Sequence, residues 1–293
     1  MMINTDYVLD YPRPLPPSFI NIGGIQIKEQ AGLLPPALGD FVAGAEAGVI
    51  LFTMGFIFNP ATVPLERIQT FLAAFGRLQQ RVVFKFDVTG LPRRGAELAV
   101  PPNVLMQDWL PQADILAHAN TELFITHCGM HGVLEAIHFG VPMVGVPIFI
   151  DQGDVLTRML EKGIAVGLDK YSSETEILDA VHEVLANKQY KNNVMKLSSL
   201  MRLRKTGSMD AAISLLTHVA ETKGAEYLKV DSRFLNIFQY YCIDCILVLL
   251  FSLAVLIFIV FLATVTIKYL VGFLLNLHKR IRYTLFIVFK ITF

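Results

Sequence analysis

The sequence predicts an α/β domain with a Rossmann-like parallel sheet and helices on both faces, followed by a C-terminal transmembrane helix. Three observations predict this class. Unbroken apolar runs of strand length alternate with segments of helical periodicity. Polar residues follow two of these runs, where strands would end and helices begin. A run of 22 residues, 246–267, contains no charged side chain.

The first 40 residues differ in composition from the rest of the chain. Residues 1–40 contain six prolines, two Pro-Pro pairs and a Gly-Gly pair. Such a composition is typical of an extended linker, here with one short strand at 19–22, and not of a packed domain. The first 19 residues lack a charged segment followed by an apolar core, so they do not predict a signal peptide.

The predicted globular domain covers residues 41–230 and contains six strands. Each strand is an unbroken apolar run, which is typical of parallel strands buried on both faces. Ser173 and Glu176 have the spacing of a capping box at the start of one helix. The predicted strands are 47–53, 81–87, 103–109, 121–127, 142–148 and 164–169. The predicted helices are 64–80, 111–118, one through 135–139, 151–162, 174–186, 188–203 and 208–223.

Charge and hydropathy are unevenly distributed along the chain. All 25 acidic residues and 20 of the 25 basic residues precede residue 246, so this part carries a net charge of −5. A mildly acidic body argues against a nucleic-acid partner, which requires a basic face. The apolar content of 54% is high for a soluble protein, and the excess lies at the C-terminus. The three cysteines are too few for a disulfide scaffold.

The apolar run 246–267 is interpreted as a transmembrane helix. At about 1.5 Å per residue it spans roughly 33 Å, slightly more than a hydrocarbon core of about 30 Å. A buried core helix is the alternative, and it is disfavoured because no polar residue interrupts the run. Residues 231–245 then form a juxtamembrane segment. The tail 268–293 carries five basic residues and no acid, so the positive-inside rule assigns it to the cytosol, against the membrane surface.

This topology puts the globular domain on the side of the membrane opposite the cytosol. Reaching that side requires translocation across the membrane. The first 19 residues, however, predict no signal peptide that would direct it. The simplest reconciliation is that an N-terminal half precedes this chain. We therefore expect a single-pass membrane protein.

The stretch 109–152 concentrates the polar residues that suggest chemistry. The predicted strand 121–127 ends at His127, and a turn containing Gly129 leads into the next helix. The unpaired amides and the dipole at the start of such a helix favour a phosphate group. His127 can donate a hydrogen bond to a diphosphate, and His131 and Glu135 share one face of the helix at spacing i, i+4.

Other residues of this stretch suit the remaining parts of a nucleotide sugar. Glu135 can accept from a vicinal diol such as a ribose. Asp151 and Gln152, after the next strand, form an acceptor-rich pair for sugar hydroxyls. Trp109, the only tryptophan, can stack on a base, and the Gln112 amide can contact a base edge.

Simpler interpretations exist for each residue taken alone. Trp109 could be a packing residue, His127 a surface or capping residue, and Asp151 a helix N-cap. A zinc site formed by His127, Cys128 and His131 is weakly supported, because no second ligand pair follows. Taken alone, the residues predict a nucleotide or phosphate site in an α/β domain. The Cys242-x-x-Cys245 pair lacks a thioredoxin-like context and is interpreted as packing residues or acylation sites.

The order of these residues resembles the donor-binding signature of the UDP-glycosyltransferases, in particular the membrane-bound UDP-glucuronosyltransferase type of animals. The signature residues read W-L-P-Q, F-I-T-H-C-G-M-H-G-V-L-E-A-I, G-V-P-M-V-G-V-P and D-Q. The resemblance runs from about Tyr11 to Lys268 and includes D-Y-P-R-P-L-P-P, I-G-G, Phe84–Asp87 and K-G-A-E-Y-L at 223–228. It implies one half of a GT-B fold: the C-terminal, UDP-sugar-binding half with its membrane anchor.

The resemblance also implies a role for each residue of the signature. Trp109 would stack on uracil, and Gln112 would contact the base or the ribose. His127 would contact the diphosphate, and Glu135 the ribose hydroxyls. Asp151 and Gln152 would contact the donor sugar. The full set of implied donor-binding residues is Trp109, Gln112, His127, Gly129, His131, Gly132, Glu135, Asp151 and Gln152.

The activity implied by the resemblance is inverting transfer of a sugar, glucuronosyl or glucosyl, from a UDP-sugar to a lipophilic acceptor. The catalytic His and its orienting Asp belong to the N-terminal half in this family, so no catalytic residue is expected in this chain. No cofactor and no metal are expected, because the UDP-sugar is a co-substrate. The endoplasmic reticulum membrane is the implied location, with the globular part lumenal if a signal peptide is supplied upstream.

Four positions depart from the family pattern. His131 stands where the family usually has Asn, Phe56 where it commonly has Ser, and Val155 where Asn often occurs. Cys128 replaces the glycine usual in animal members. Such changes would weaken donor contacts. The changes at His131, Phe56 and Val155, together with the expected lack of the catalytic base, motivate an alternative function. In it the chain is a catalytically incompetent half-transferase that forms homo- or hetero-oligomers with full-length family members and modulates them.

Overall fold

The computed structural model describes residues 1–27, 31–55, 64–86, 98–203 and 207–292, with side chains to residue 282. The chain forms two compact units, Met1–Leu228 and Lys229–Phe293. Phe56 and Asp87, which the sequence analysis singles out, lie outside the described residues.

A six-stranded parallel sheet forms the centre of the first unit, as predicted. Its strands stand in the order β5-β4-β3-β6-β7-β8. All five neighbouring pairs are parallel. The strands are β3 (Val49–Thr53), β4 (Arg81–Lys85), β5 (Val104–Gln107), β6 (Thr121–Thr126), β7 (Met143–Gly145) and β8 (Ala165–Gly167).

Helices cover both faces of this sheet, which confirms the predicted fold class. They are α1 (Pro36–Ala43), α2 (Leu65–Gly76), α3 (Gln112–Leu116), α4 (Met130–Phe139), α5 (Gln152–Glu161), α6 (Glu174–Ala186), α7 (Lys188–Arg202) and α8 (Ser208–Glu221). Ser173 forms the predicted capping box with Glu176 at the start of α6.

Alternation along the buried strands supplies two hydrophobic cores. Leu51 of β3 and Phe124 of β6 belong to the core beneath α4, α5 and α7. Their neighbours Phe52 and Ile125 belong to the core beneath α2 and α6. Successive side chains of a strand point to opposite faces, so a strand covered on both sides must be apolar throughout. This requirement explains the unbroken apolar runs in the sequence.

Strand β7 is shorter than the predicted 142–148. It covers only Met143–Gly145; Pro142 precedes it directly, and Pro147 lies two positions after its last residue. Proline has no backbone N–H, so neither proline can extend the hydrogen-bond ladder by donating.

The strand order creates a topological switch point between β3 and β6. The chain moves outward from β3 to β4 and β5, then returns to the other side of β3 and moves outward again through β6, β7 and β8. The connections therefore diverge at the carboxyl ends of β3 and β6. In open α/β sheets this is where ligands bind.

The N-terminal residues pack on the first unit. Strands β1 (Met2–Ile3) and β2 (Ile20–Asn21) form a separate two-stranded parallel sheet. Leu9 is fully buried in the core that also contains residues of α4 and α5. The prolines thus separate short ordered pieces of this segment. The contact of Leu9 with the core differs from the expectation that residues 1–40 form an extended linker. The division of the chain into domains remains a prediction.

The second unit contains the predicted apolar helix. The first unit ends in a 3₁₀ turn, Glu226–Leu228. In the second unit, the 3₁₀ turn Asp231–Phe234 precedes the short helix α9 (Ile237–Tyr240) and the long helix α10 (Ile243–Thr292). Within the described residues, one stretch, Ile243–Arg282, is long and apolar enough to cross a membrane, and 18 consecutive residues within it have a mean hydropathy of 3.4. The helix does not end at Ile267, because no proline occurs between 268 and 292 to interrupt it. The surface location of the tail remains a prediction.

Candidate functional site

A cavity of about 910 Å³ opens at the carboxyl edge of the large sheet. Its walls are formed by the last residue of β4 and by residues that follow β3, β5, β6 and β7, together with parts of α3, α4 and α5. The cavity therefore lies at the topological switch point. All nine residues that the sequence analysis assigns to the donor site line it.

His127 lies at the centre of this edge, directly after β6. A Cβ atom on Gly55 would lie 2.6 Å from its Cε1, and one on Gly129 would lie 2.5 Å from its Nε2. Glycine is therefore required on both sides of the imidazole ring. Gly55 also has a φ of +80°, in the left-handed region that favours glycine. The sequence brings two glycines, 74 positions apart, to one ring.

The electrostatic environment keeps His127 neutral near pH 7. Burial is the largest cause and lowers its pKa below the ordinary value of 6.5. Lys85 adds to this lowering, while the Thr53 backbone and the Asp151 carboxylate oppose it. Nδ1 is buried and has no hydrogen bond of normal geometry to any described residue. A neutral imidazole can donate one hydrogen bond to a ligand oxygen.

Cys128 turns the chain from β6 into α4. Its φ of +66° is in the left-handed region, which is uncommon for a residue with a side chain. The side chain is fully buried in the hydrophobic core, away from the cavity. Burial raises the pKa of the thiol to about 12, so the thiolate is not available near neutral pH. A zinc site that uses Cys128 with the two histidines does not fit this geometry.

Helix α4 begins at the cavity. Its N-cap is Gly129, and within the described residues no side chain caps its amides. Gly132 lies in the first turn, where an added Cβ would be 3.1 Å from Nε2 of Gln112. The first amides of a helix have no intrahelical partner, and the helix dipole adds positive potential there. This wall of the cavity is suited to an anionic group.

Glu135 lies one turn further along α4, with its carboxylate held by amides. Gln112 Nε2 donates to Oε2 at 2.8 Å, and Gln26 Nε2 lies 3.5 Å from Oε1. Burial raises the pKa of Glu135, while the bonds from Gln112 and Gln26 and the charge of His131 oppose this rise. The predicted pairing of His131 and Glu135 along one helix face is present, because both residues line the cavity.

Asp151 and Gln152 begin α5 but differ in chemistry. Gln152 is buried, and its Oε1 accepts from the Ile148 and Phe149 amides at 2.7 and 2.8 Å. Its oxygen is thus occupied by the loop, and the amide NH₂ is the group left to contact a ligand. The Asp151 side chain is exposed, and no capping bond from it to a described amide exists. The predicted acceptor-rich pair is therefore one acceptor beside one donor.

Trp109 stands at the rim of the cavity. Its side chain is 67% exposed, which excludes the interpretation as a core packing residue. Gln112 lies at the start of α3, three residues later, and lines the same side of the cavity. An exposed indole beside an amide provides a stacking face and a hydrogen-bonding group for a planar base.

Three polar residues of this region were missed by the sequence analysis. Lys85 ends β4, lines the cavity and donates to the Gly55 carbonyl at 3.3 Å. The sequence pattern that could have identified Lys85 is a lysine that follows an apolar run. Gln26 and Asn4 come from the N-terminal segment, and Asn4 Nδ2 lies 3.1 Å from His131 Nε2. No local pattern identifies these two, because the fold alone brings them to α4.

No cluster of three or more His, Cys, Asp or Glu side chains that could hold a metal ion occurs among the described residues. What the cavity offers is a stacking face, helix amides, a neutral imidazole, a lysine and three carboxylates. This combination suits a ligand that joins a base, a diol, anionic phosphates and a polyol.

Comparison with known proteins identifies the family. The sequence model of the family described as "UDP-glucoronosyl and UDP-glucosyl transferase" matches residues 1–281. The chain belongs to this family. UDP-glucosyltransferase 2 of Dactylopius coccus is 39% identical over 261 residues, which are 89% of this chain and 49% of the relative. Human UDP-glucuronosyltransferase 2B7 is 36% identical over 261 residues, covering 88% and 48% of the two chains.

Solved structures agree with this membership at the level of fold. The glycotransferase of kitacinnamycin superposes with a TM-score of 0.54 at 27% identity, covering 68% of this chain and 49% of its own. The calicheamicin glycosyltransferase CalG4 gives a TM-score of 0.55 at 24% identity, covering 70% and 49%. These neighbours are GT-B glycosyltransferases. The UDP-glycosyltransferase chain described here spans about half the length of the relatives it matches.

Proposed function

We propose that this chain binds a UDP-sugar in the cavity at the carboxyl edge of its sheet and supplies the donor-binding half of a glycosyltransferase. The complete reaction would transfer a glucuronosyl or glucosyl group to a lipophilic acceptor. One observation carries the proposal: nine residues predicted from a linear signature line a single cavity at the switch point of the sheet.

Each part of the donor then has a chemically matched partner. Uracil stacks on Trp109 and is held by Gln112, while the ribose diol donates to Glu135. The diphosphate accepts from the amides at the start of α4 and from His127, and Lys85 supplies a positive charge. Asp151 accepts from the hydroxyls of the sugar, and Gln152 donates to them.

The part of the donor that the chain binds determines which group leaves in the chemical step. With the diphosphate bound at α4, the leaving group is UDP, and its developing charge meets the helix amides and Lys85. The acceptor hydroxyl must lose a proton to a base as it attacks the anomeric carbon. By family resemblance, that base and the acceptor site are expected from the other half of a GT-B protein.

Isothermal titration with UDP in detergent tests donor binding directly. Trp109→Ala should weaken UDP about 10- to 100-fold, since stacking contributes about 1–3 kcal/mol per base. Tyr171→Ala is the matched control, because Tyr171 is 69% exposed and lies outside the cavity lining. Absence of UDP binding by the unsubstituted chain, or equal affinities for all three proteins, would contradict the proposal.

The alternative, a half-transferase that binds and modulates full-length family members, is less favoured by the geometry. Val155 is buried in the core at 2% exposure, so this departure from the family pattern does not reach the cavity. His131 lines the cavity, and its Nε2 lies 3.1 Å from Asn4 Nδ2. Co-purification with a full-length transferase, together with a change in that enzyme's activity, would support the alternative.

A further inference from the structure

The N-terminal segment forms one side of the donor cavity. Gln26 lines the cavity although it is more than 100 positions away from α4 in sequence. Its Nε2 donates to the His131 carbonyl at 3.2 Å and lies 3.5 Å from Oε1 of Glu135. The amide therefore spans the first turn of α4, between the backbone of one site residue and the side chain of another.

Gln26 and Gln112 hold the same carboxylate from two elements. Gln112, at the start of α3, donates to Oε2 of Glu135 at 2.8 Å, while Gln26 approaches Oε1. A carboxylate has about four acceptor positions on its two oxygens. One acceptor position on each oxygen of Glu135 is directed to an amide NH₂ group, so two of the four acceptor positions remain. The amides thus fix the plane of the carboxylate and leave one acceptor on each oxygen for a pair of neighbouring hydroxyls.

The backbone that carries Gln26 is itself held in place. Gly24 has a φ of +78°, and the Ile27 amide donates to its carbonyl at 2.9 Å, which forms a tight turn around Gln26. Ser208 of α8 donates to the Gly23 carbonyl at 2.8 Å. Ile27 packs against the hydrophobic core. The turn presents Gln26 to the cavity from a fixed position, as a site that requires accurate geometry needs.

We infer that Gln26 is a positioning residue of the donor site, which acts with Gln112 to orient the Glu135 carboxylate toward the ribose hydroxyls. This inference rests on the proposed function. If Gln26 has this role, the segment 1–27 contributes to the donor site itself and is more than a linker. It also predicts that Gln26 acts on recognition of the ribose and hardly on the base or the diphosphate.

The test compares UDP with 2′-deoxyuridine diphosphate, which lacks one hydroxyl of the diol. Gln26→Met retains the length of the side chain but cannot donate a hydrogen bond, and Gln26→Glu adds a carboxylate near Glu135. Gln189→Met is the matched control, since Gln189 is exposed on α7 and outside the cavity lining. Affinities are measured by isothermal titration, and thermal denaturation checks that all variants are folded.

For Gln26→Met we expect an affinity for UDP about 5- to 10-fold weaker, with less than a 2-fold change for the deoxy analogue, because only the diol contact is lost. Gln26→Glu should weaken UDP at least as much, and Gln189→Met should change neither affinity. Equal losses for the two ligands would show a purely structural role and overturn the inference. Unchanged UDP binding in Gln26→Met would overturn it too, while leaving the proposed function intact. If the unsubstituted chain binds neither ligand, the proposed function itself fails.

Discussion

Gln112 and Glu135 are joined by a hydrogen bond of 2.8 Å from Nε2 to Oε2, although 23 positions separate them in sequence. The bond connects the first turn of α3 to α4, so the predicted base contact and the predicted ribose contact are mechanically linked. Glu135 is buried, and a buried carboxylate without a donor is costly. The pair is thus expected to act as one unit in stability and in binding.

Replacing the Gln112 amide should show that Gln112 and Glu135 are energetically coupled. We expect Gln112→Leu to weaken UDP about 10-fold or more and to lower the melting temperature, since a hydrogen bond to a charged group contributes about 1.5–3 kcal/mol. A double-mutant cycle with Glu135→Gln, read by titration calorimetry, should give a coupling energy of about 0.5–3 kcal/mol. Additive effects of the two substitutions would show that the bond has no energetic role.

The two glycines against His127 provide a second prediction. Gly55→Ala would place a Cβ atom 2.6 Å from the imidazole at a backbone φ of +80°. We expect a loss of stability of about 1–3 kcal/mol and weaker UDP binding, because the ring must move. Gly129→Ala should weaken UDP in the same way, with its Cβ 2.5 Å from Nε2.

Gly153→Ala is the control for these two variants. Gly153 follows Gln152 in the first turn of α5, and an added Cβ would meet no heavy atom within 4 Å. Alanine is a better helix former than glycine by about 0.5–1 kcal/mol, so this variant should be slightly more stable and bind UDP normally. Urea denaturation and titration calorimetry measure both quantities. A Gly55→Ala protein as stable as Gly153→Ala would contradict the proposed role of the close packing.

Burial of His127 makes part of the stability dependent on pH. Its pKa is lower in the folded chain than the ordinary 6.5, so the unfolded chain binds more protons between the two values. The contribution of His127 to the free energy of unfolding is fully present above pH 6.5. It is lost as the pH falls toward the lower pKa of the folded state. Melting temperatures of the unsubstituted chain and His127→Gln between pH 5 and about 8 test this prediction. The variant should lose less stability on acidification, and parallel curves would contradict the assignment.

The sequence predicted the sheet and most of its elements because their signals are local. Unbroken apolar runs identified the six strands, and the capping box at Ser173 identified the start of α6. The strand order was not predicted, since apolar runs buried on both faces carry no information about their neighbours. The predicted strand 142–148 is longer than β7, because the apolar run continues past Gly145 although Pro147 has no N–H to donate to a ladder.

The site was predicted where residues are adjacent in the signature and missed where the fold brings distant residues together. Trp109 and His127 follow strand ends, Glu135 lies in the helix after β6, and all three line the cavity. Gln26 reaches the cavity only through the packing of the N-terminal segment. The role of Gln152 also depended on tertiary structure, because its side-chain oxygen binds the 148–149 loop.

The N-terminal segment should depend on one buried ion pair. Arg158 of α5 contacts Asp10, and the two side chains are 13% and 5% exposed. It also contacts Asp154, one turn away on the same helix. Arg158→Met leaves Asp10 buried without its counter-charge and should cost about 3–5 kcal/mol. Arg77→Met is the control, because the Arg77–Glu174 pair is 62% and 37% exposed and such pairs contribute about 0–1 kcal/mol.

Urea denaturation of both arginine variants measures this difference. Asp10→Asn in the Arg158→Met background should recover part of the lost stability, since the uncompensated charge is then removed. Because Asp10 belongs to the same N-terminal segment as Gln26, the Arg158→Met protein should also bind UDP more weakly. Equal destabilisation by Arg158→Met and Arg77→Met would show that burial of the pair has no consequence.

Integration of the long apolar helix into a membrane can be tested with charges placed within it. Within Ile243–Arg282, 18 consecutive residues have a mean hydropathy of 3.4, and each arginine near the centre of a spanning helix costs about 2.5–3.5 kcal/mol. Leu256→Arg combined with Ile259→Arg should therefore release a large fraction of the chain from membranes at alkaline carbonate pH. Ile213→Arg combined with Leu216→Arg is the control, because these residues of α8 are 54% and 60% exposed outside that helix. We expect the control to stay with the membrane pellet as the unsubstituted chain does, and equal release of both double variants would argue against a spanning role for this helix.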